Sequence, residues 1–335
     1  MSSSSSHPGM IDPFGREITY LRLSVTDRCN LRCVYCMAED MSFQPKANIL
    51  SLEELHEVSA AFVDLGVKKI RVTGGEPLVR RNIGKFLRGL NELEALNELT
   101  LTTNGVLIEK HLPDLLAAGV KRINVSLDTL DDSTFAALTR FDKLQDVKRG
   151  LQAAKNAGLK VRLNAVVLNN MNSDHVVPLV DYALANAFDI AFIEEMPLGA
   201  INSHARADTL TPNDYIRNAL MEQFAMAPLD EDKLTSGPAR YWSLAGTHSK
   251  VGFISPHSNN FCGDCNRVRV TVGGKLLLCL GHSDAVDLKA VLRAPNYHRE
   301  QLTEAIVSAL RLKPKQHYFD PEETHILRFM SATGG

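Results

Sequence analysis

The stretch Glu17-Ile-Thr-Tyr-Leu-Arg-Leu-Ser-Val-Thr-Asp-Arg-Cys29-Asn-Leu-Arg-Cys33-Val-Tyr-Cys36 joins a partly alternating apolar segment to three closely spaced cysteines. Glu17 to Val25 predicts a strand, so the cysteines fall on the loop that leaves it. Beyond that loop, Ser51-Leu-Glu-Glu54 reads as a capping box opening a helix with the apolar stripe Leu55, Val58, Phe62 and Leu65. The strand-helix unit then recurs. Strands are predicted at 69–73, 98–103, 122–127, 160–167 and 189–194, with helical stretches such as 108–118 and 146–157 between them, closed by Gly119 and Gly158. Six such units predict a parallel sheet with right-handed crossovers, short of the eight that close a full barrel. The expectation is an α/β chain whose residues 15–235 form an incomplete (β/α)6 TIM-like barrel. By analogy with the full barrel, functional loops fall at the C-terminal strand ends. Those are the cysteine loop, Gly74-Gly-Glu-Pro77, Thr102-Thr-Asn-Gly105, Ser126-Leu-Asp128 and Glu195-Met-Pro197.

After residue 197 the rhythm changes. A helix is predicted at 211–225, and a hairpin at 267–272 and 275–279 turns at Gly273-Gly274, placing residues 236–335 in a C-terminal extension. Residues 1–14 are expected to be a disordered tail, since they open on Met-Ser-Ser-Ser-Ser-Ser-His-Pro-Gly9 and lack the apolar stretch of a secretory signal. No apolar run approaches the roughly 20 residues of a membrane span, so a cytoplasmic location is expected. With 335 residues, 44% of them hydrophobic, the chain can bury a sizeable core. Its net charge of -2 supports neither nucleic acid nor a membrane as partner, and any anion site must be local. Gly-x-Gly-x-x-Gly, Walker, Gly-x-Ser-x-Gly and His-Glu-x-x-His signatures are all absent.

The six cysteines fall into two groups, Cys29, Cys33, Cys36 and Cys262, Cys265, Cys279, which suits metal sites better than disulfides. A cubane iron-sulfur cluster takes one thiolate per iron. Three thiolates therefore leave one iron open to another ligand, the device that separates catalytic from structural metal sites. The first group has no nearby His to complete a zinc tetrahedron. In the second, His282 makes Cys-x2-Cys-x13-Cys-x2-His, and a structural zinc remains an alternative on spacing. Against zinc stand Arg267 and Arg269, two apart on a predicted strand and so on one face, with forks that match phosphate oxygens. Arg22 and Arg71 also lie within predicted strands, where a buried arginine calls for an anion.

The first cysteine run, with Tyr35 inside it and Ser24-Val-Thr-Asp27 before it, resembles the radical S-adenosylmethionine (SAM) superfamily. The run Gly252 to Arg269, Gly237-Pro-Ala-Arg-Tyr241 and the terminal Gly334-Gly335 further resemble the GTP 3′,8-cyclase family of molybdenum cofactor biosynthesis. This resemblance implies two 4Fe-4S clusters on the six cysteines, SAM as cofactor and GTP as substrate. It implies SAM contacts at Tyr35, Gly75, Ser126 and Met196, and GTP contacts at Arg22, Arg71, Thr102, Arg162, Arg267, Val268 and Arg269. No side chain is implied as a catalytic acid, base or nucleophile. The product would be (8S)-3′,8-cyclo-7,8-dihydroguanosine 5′-triphosphate. A flavodoxin or ferredoxin would supply electrons, cyclic pyranopterin monophosphate synthase would take the product, and homodimer formation is left open. Two positions depart from the family: Arg162 stands where a lysine is expected, and Ala191 where an arginine is expected. The Gly-Gly end is expected to thread into the active site. A radical SAM peptide modifier and a zinc-stabilised binding module are the rival readings.

Overall fold

The computed structural model describes residues 9–199, 201, 206–229, 237–319 and 328–334. Twelve strands form its sheet: β1 (Tyr20–Ser24), β2 (Lys69–Thr73), β3 (Glu98–Thr103), β4 (Arg122–Ser126), β5 (Lys160–Val166), β6 (Asp189–Ile193), β7 (Met226–Pro228), β8 (Arg240–Leu244), β9 (Lys250–Ile254), β10 (Arg267–Val270), β11 (Lys275–Leu277) and β12 (Ala285–Asp287). Their hydrogen-bonded order is β12-β11-β10-β1-β2-β3-β4-β5-β6-β9-β8-β7. Helices α1 (Leu52–Asp64), α2 (Ile83–Asn91), α3 (Ile108–Ala117), α4 (Asp132–Thr139), α5 (Leu144–Asn156) and α6 (Val176–Asn186) make the crossovers between β1 and β6.

The predicted six-strand repeat is present, and it is longer than expected. Strand β10 pairs in parallel with β1, and β9 pairs in parallel with β6. The expected extension therefore widens the sheet on both flanks. Two strands from late in the chain find these positions because β1 and β6 are otherwise unpaired edges, whose backbone groups need partners. One continuous hydrophobic core runs from Met10 to Leu310. Met10, expected in a disordered tail, is only 2% exposed, and the Asp12 carboxylate accepts from the Phe14 and Arg16 amides.

Local chemistry explains the elements. At α1 the Ser51 hydroxyl accepts from the Glu54 amide at 3.1 Å, and the Glu54 carboxylate accepts from the Ser51 amide at 2.7 Å, closing the predicted capping box. Gly158 follows α5 with φ +76°, the left-handed turn its missing Cβ permits. Among the described residues no helix is long and apolar enough to cross a membrane.

Candidate functional site

The two cysteine groups lie at opposite ends of β1 and β10. The first follows β1, at the C-terminal end of the parallel strands. Cys262 and Cys265 precede β10, and Cys279 follows β11, which runs antiparallel to β10. The second group thus sits at the N-terminal end, away from the strand-end loops of the β1–β6 repeat. The five residues of β1 put about 16 Å between the two levels.

In the first group, the Cys36 and Met37 amides donate to the Cys33 carbonyl at 2.9 and 3.0 Å, winding the loop into a turn. The end of α4 anchors it from outside: the Arg32 and Val34 amides donate to the Thr139 and Leu138 carbonyls. Tyr35 Oη donates to Asp128 Oδ2 at 2.7 Å, while Asp128 Oδ1 accepts from the Val166 amide. Asn104 Nδ2 reaches Cys29 Sγ at 3.6 Å. Burial, aided by Glu76, pushes the Cys29 thiol up to about 11. Burial and then Cys36, Asp128 and Cys29 raise Cys33 well above its ordinary value. Three thiolates cannot coexist there without a cation, and bound metal supplies one.

In the second group burial likewise raises the Cys262 and Cys279 thiols, and the difference lies at Cys265, which has cations beside it. Burial alone would raise the Cys265 thiol, but Arg267 and Lys313 outweigh it and bring it down to about 7. Arg16 Nη1 donates to the Cys262 carbonyl at 2.7 Å, and Lys313 Nζ lies 3.8 Å from Cys265 Sγ. His282, the fourth ligand of the zinc alternative, has its Nε2 on the Gln316 carbonyl at 3.2 Å and its ring against Tyr318. His317 stands near the thiols instead, Nδ1 being 3.0 Å from Cys262 Sγ.

The donor set fits iron-sulfur clusters. None of the six cysteines is in a disulfide, and among the described residues no three His, Cys, Asp or Glu side chains are close enough to grip one metal ion. A tetrahedral zinc would draw its thiolates to within about 4 Å of one another. A cubane spreads them around four irons.

Between the two levels runs a row of arginines. Arg269, Arg22 and Arg71 are register partners on β10, β1 and β2 and share one face of the sheet. Thr102, Asn124 and Arg162 are partners on β3, β4 and β5, and Arg71 Nη1 donates to Thr102 Oγ1 at 3.3 Å, tying the rows together. Arg71 is 4% exposed. Burial, then neighbouring arginines, holds Arg269 well below its ordinary value; burial likewise brings Arg22 down to about 10 despite the help of Tyr20. Val268 points the other way, into the core, so only its backbone can meet a ligand.

Tyr20 is the partner of the arginine row that sequence reasoning missed. Its hydroxyl accepts from Arg71 Nε at 2.5 Å. Burial opposes ionisation, yet Arg71, Arg22 and Lys69 outweigh it and lower the phenol to about 6. The signal was present: Tyr20 and Arg22 are two apart on one strand.

Of the other expected residues, Gly75 packs backbone to backbone against the cysteine loop. Its amide donates to the Thr26 carbonyl at 2.7 Å, and an added Cβ would lie 2.4 Å from the Arg28 oxygen. Ser126 ends β4, and Met196 follows β6, so all three stand on C-terminal strand ends. Ala191 is buried on β6 opposite Asn164 and Gly252. Tyr241 closes over Gly252, and its hydroxyl accepts from Arg162 Nη1 at 2.5 Å.

The chain end also enters the site. The Gly334 carbonyl oxygen accepts from Arg269 Nη1 at 2.6 Å, and its φ of +79° and a Cβ position 1.9 Å from Thr73 Oγ1 admit glycine alone. Gly335 lies outside the described residues.

This fold and thiol loop define a class. Residues 23–183 match the Radical SAM superfamily. Streptococcus suis SuiB bound to S-adenosylmethionine shares the fold at TM-score 0.61 and 16% identity, over 94% of this chain and 77% of that one. Residues 188–319 match Molybdenum Cofactor Synthesis C. The GTP 3′,8-cyclase of Ectopseudomonas mendocina is 53% identical over 97% of this chain and 98% of its own, and GTP 3′,8-cyclase 2 of Pseudomonas aeruginosa is 54% identical with the same coverage. The chain belongs to the GTP 3′,8-cyclase family.

Proposed function

We infer that the protein converts GTP to (8S)-3′,8-cyclo-7,8-dihydroguanosine 5′-triphosphate in molybdenum cofactor biosynthesis, using two 4Fe-4S clusters and SAM. The observation that carries this reading is the arginine row set between two separate three-thiol groups. Cys29, Cys33 and Cys36 would hold a cluster that would supply one electron for cleavage of SAM to methionine and a deoxyadenosyl radical, and transfer of hydrogen from C3′ of GTP, addition of C3′ to C8, and one further electron and a proton from the reductant would give the dihydro product. The remaining work is positioning and electrostatics.

Arg22, Arg71, Arg269, Arg267, Arg162 and Thr102 hold the triphosphate and ribose, with the backbone at Val268 completing the wall. Tyr35, Gly75, Ser126 and Met196 line the SAM site at the strand ends. Cys262, Cys265 and Cys279 would hold the second cluster, which would offer an open coordination position to the guanine and so restrict C8 relative to C3′. Gly334 sits against Arg269, where the tail closes the substrate cavity. Arg162, with Tyr241 at its guanidinium, offers a fork in place of a lysine point charge, and the missing arginine at Ala191 weakens phosphate contact without removing the reaction.

A sheet curled into a partial barrel around this cavity is part of the same reading, and it is supported by Arg162 on β5, four strand steps from β1, being near enough to Arg22 and Arg71 to lower both. A flavodoxin or ferredoxin delivers the electron, and cyclic pyranopterin monophosphate synthase consumes the product. The test is GTP deuterated at C3′. Label recovered in 5′-deoxyadenosine, together with the cyclised nucleotide, is the expected outcome; SAM cleavage with no label transfer overturns the assignment.

A further inference from the structure

Lys313 is 3% exposed, just beyond helix Arg299–Leu310. An ammonium has three N–H donors. Here Nζ is 2.5 Å from the Leu278 carbonyl, 2.9 Å from the Arg267 carbonyl and 3.8 Å from Cys265 Sγ. All three donors are taken, so Lys313 has none left for a phosphate. The two carbonyls belong to residues beside the thiols: Leu278 precedes Cys279, and Arg267 lies two beyond Cys265. One side chain therefore ties together the segments that carry two of the three sulfurs.

Two neutral carbonyls do not balance a buried charge. The remaining acceptor is sulfur, which is a weak partner as a thiol and a strong one as a metal-bound thiolate. The same cation also has a sign with consequences. A reduced cluster carries one more negative charge than an oxidised one, so a fixed positive neighbour and an N–H···S contact favour reduction. Around Cys265 stand Lys313, Arg267 and Arg16. Around Cys29 and Cys33 stand Glu76 and Asp128, with Arg32 the weaker opposing charge at Cys29.

We propose that Lys313 is a positioning residue for the cluster on Cys262, Cys265 and Cys279, fixing the separation of its thiolates and raising its reduction potential above that of the cluster on Cys29, Cys33 and Cys36. This assignment rests on the reading that the second group carries a cluster. It adds a residue that touches neither GTP nor SAM, and it ranks the two clusters as electron acceptors.

The experiment is an anaerobic redox titration of reconstituted full-length protein followed by electron paramagnetic resonance, with iron and sulfide measured on the same samples. In the wild type the second cluster is reduced first. In Lys313→Met its potential moves to a more negative value, while that of the first cluster stays in place as the internal control. An unmoved second potential in a Lys313→Met protein holding both clusters overturns the assignment. If Lys313→Met loses the second cluster, Lys313→Arg decides: restored iron with a restored potential supports a role for the charge, and continued loss overturns it. A wild type that holds a single cluster overturns the underlying two-cluster reading, an outcome that the iron count separates from the others.

Discussion

The two cysteine groups contain the same number of thiols and meet different neighbouring charges. Cys29, Cys33 and Cys36 are wound on one short loop between a strand and a helix, near Glu76 and Asp128, and burial pushes the Cys29 and Cys33 thiols up. Cys262, Cys265 and Cys279 come from the two segments at the open end of a late hairpin and are stitched by Arg16 and Lys313, beside Arg267. The first arrangement favours giving an electron away, and the second favours holding an anionic ligand. What the difference teaches is that equal ligand counts do not make equal sites, because the charges around the sulfurs decide what each can do.

Removing one thiol from each group gives the largest effect. Cys33→Ser is expected to abolish SAM cleavage, and Cys279→Ser to abolish cyclisation while SAM cleavage to 5′-deoxyadenosine continues. Chromatography of deoxyadenosine and nucleotide products reads both. Equal loss of SAM cleavage in the two variants would erase the division of labour.

Deleting Gly334 and Gly335 is expected to stop cyclisation and leave the iron content of both groups intact, because the tail contacts Arg269 and Thr73 and adds no cluster ligand. Cyclisation at the full-length rate would make the tail an ordinary chain end.

Arg269→Ala is expected to weaken GTP binding by about 2 to 5 kcal/mol, the cost of truncating one partner of a buried charge pair. Equilibrium dialysis measures it. The same substitution leaves SAM binding in place, since Arg269 lies below the first thiol level in the strand.

A pH-dependent effect is expected at Tyr20. Its phenol is lowered from 10.0 to about 6 in the folded protein. Folding thus favours the phenolate, and its contribution is complete above the ordinary value and is lost as pH falls through about 6. Urea unfolding of wild type and Tyr20→Phe should therefore show a stability gap that widens as pH rises between those values. A gap independent of pH would show a neutral phenol, and the arginine row would then lack its internal anion.

The strand-helix repeat was legible because its signals are local: the capping box at Ser51, the apolar stripe of α1 and the glycine after α5 each act within a few residues. So was the first cysteine loop, whose ligands span eight positions. Strand β10 was legible as half of a hairpin, whereas its place beside β1 was not, and neither was strand β9. Pairing of Arg22 with Arg269 depends on which edge a distant strand finds, and nothing in either segment encodes that choice. The zinc alternative shows the same limit. His282 had the right spacing, while His317 and Lys313, far from the cysteine pattern in sequence, are the residues beside the sulfurs. Tyr20 could have been found, since an aromatic hydroxyl two positions from a strand arginine shares its face.

The placement of β10 beside β1 also orders events in time. Synthesis runs from Arg22 to Arg269 at about 5 to 20 residues per second, so the first thiol loop and its strand precede the neighbouring strand by roughly ten to fifty seconds. Throughout that interval the nascent chain carries the loop that handles the reactive half of the chemistry and lacks the wall that holds the substrate. Both outer parallel strands, β9 and β10, arrive within the last third of the chain. The cavity is therefore sealed from both sides only near the end of translation, and a chain interrupted earlier leaves two open sheet edges, a target for chaperones and for aggregation.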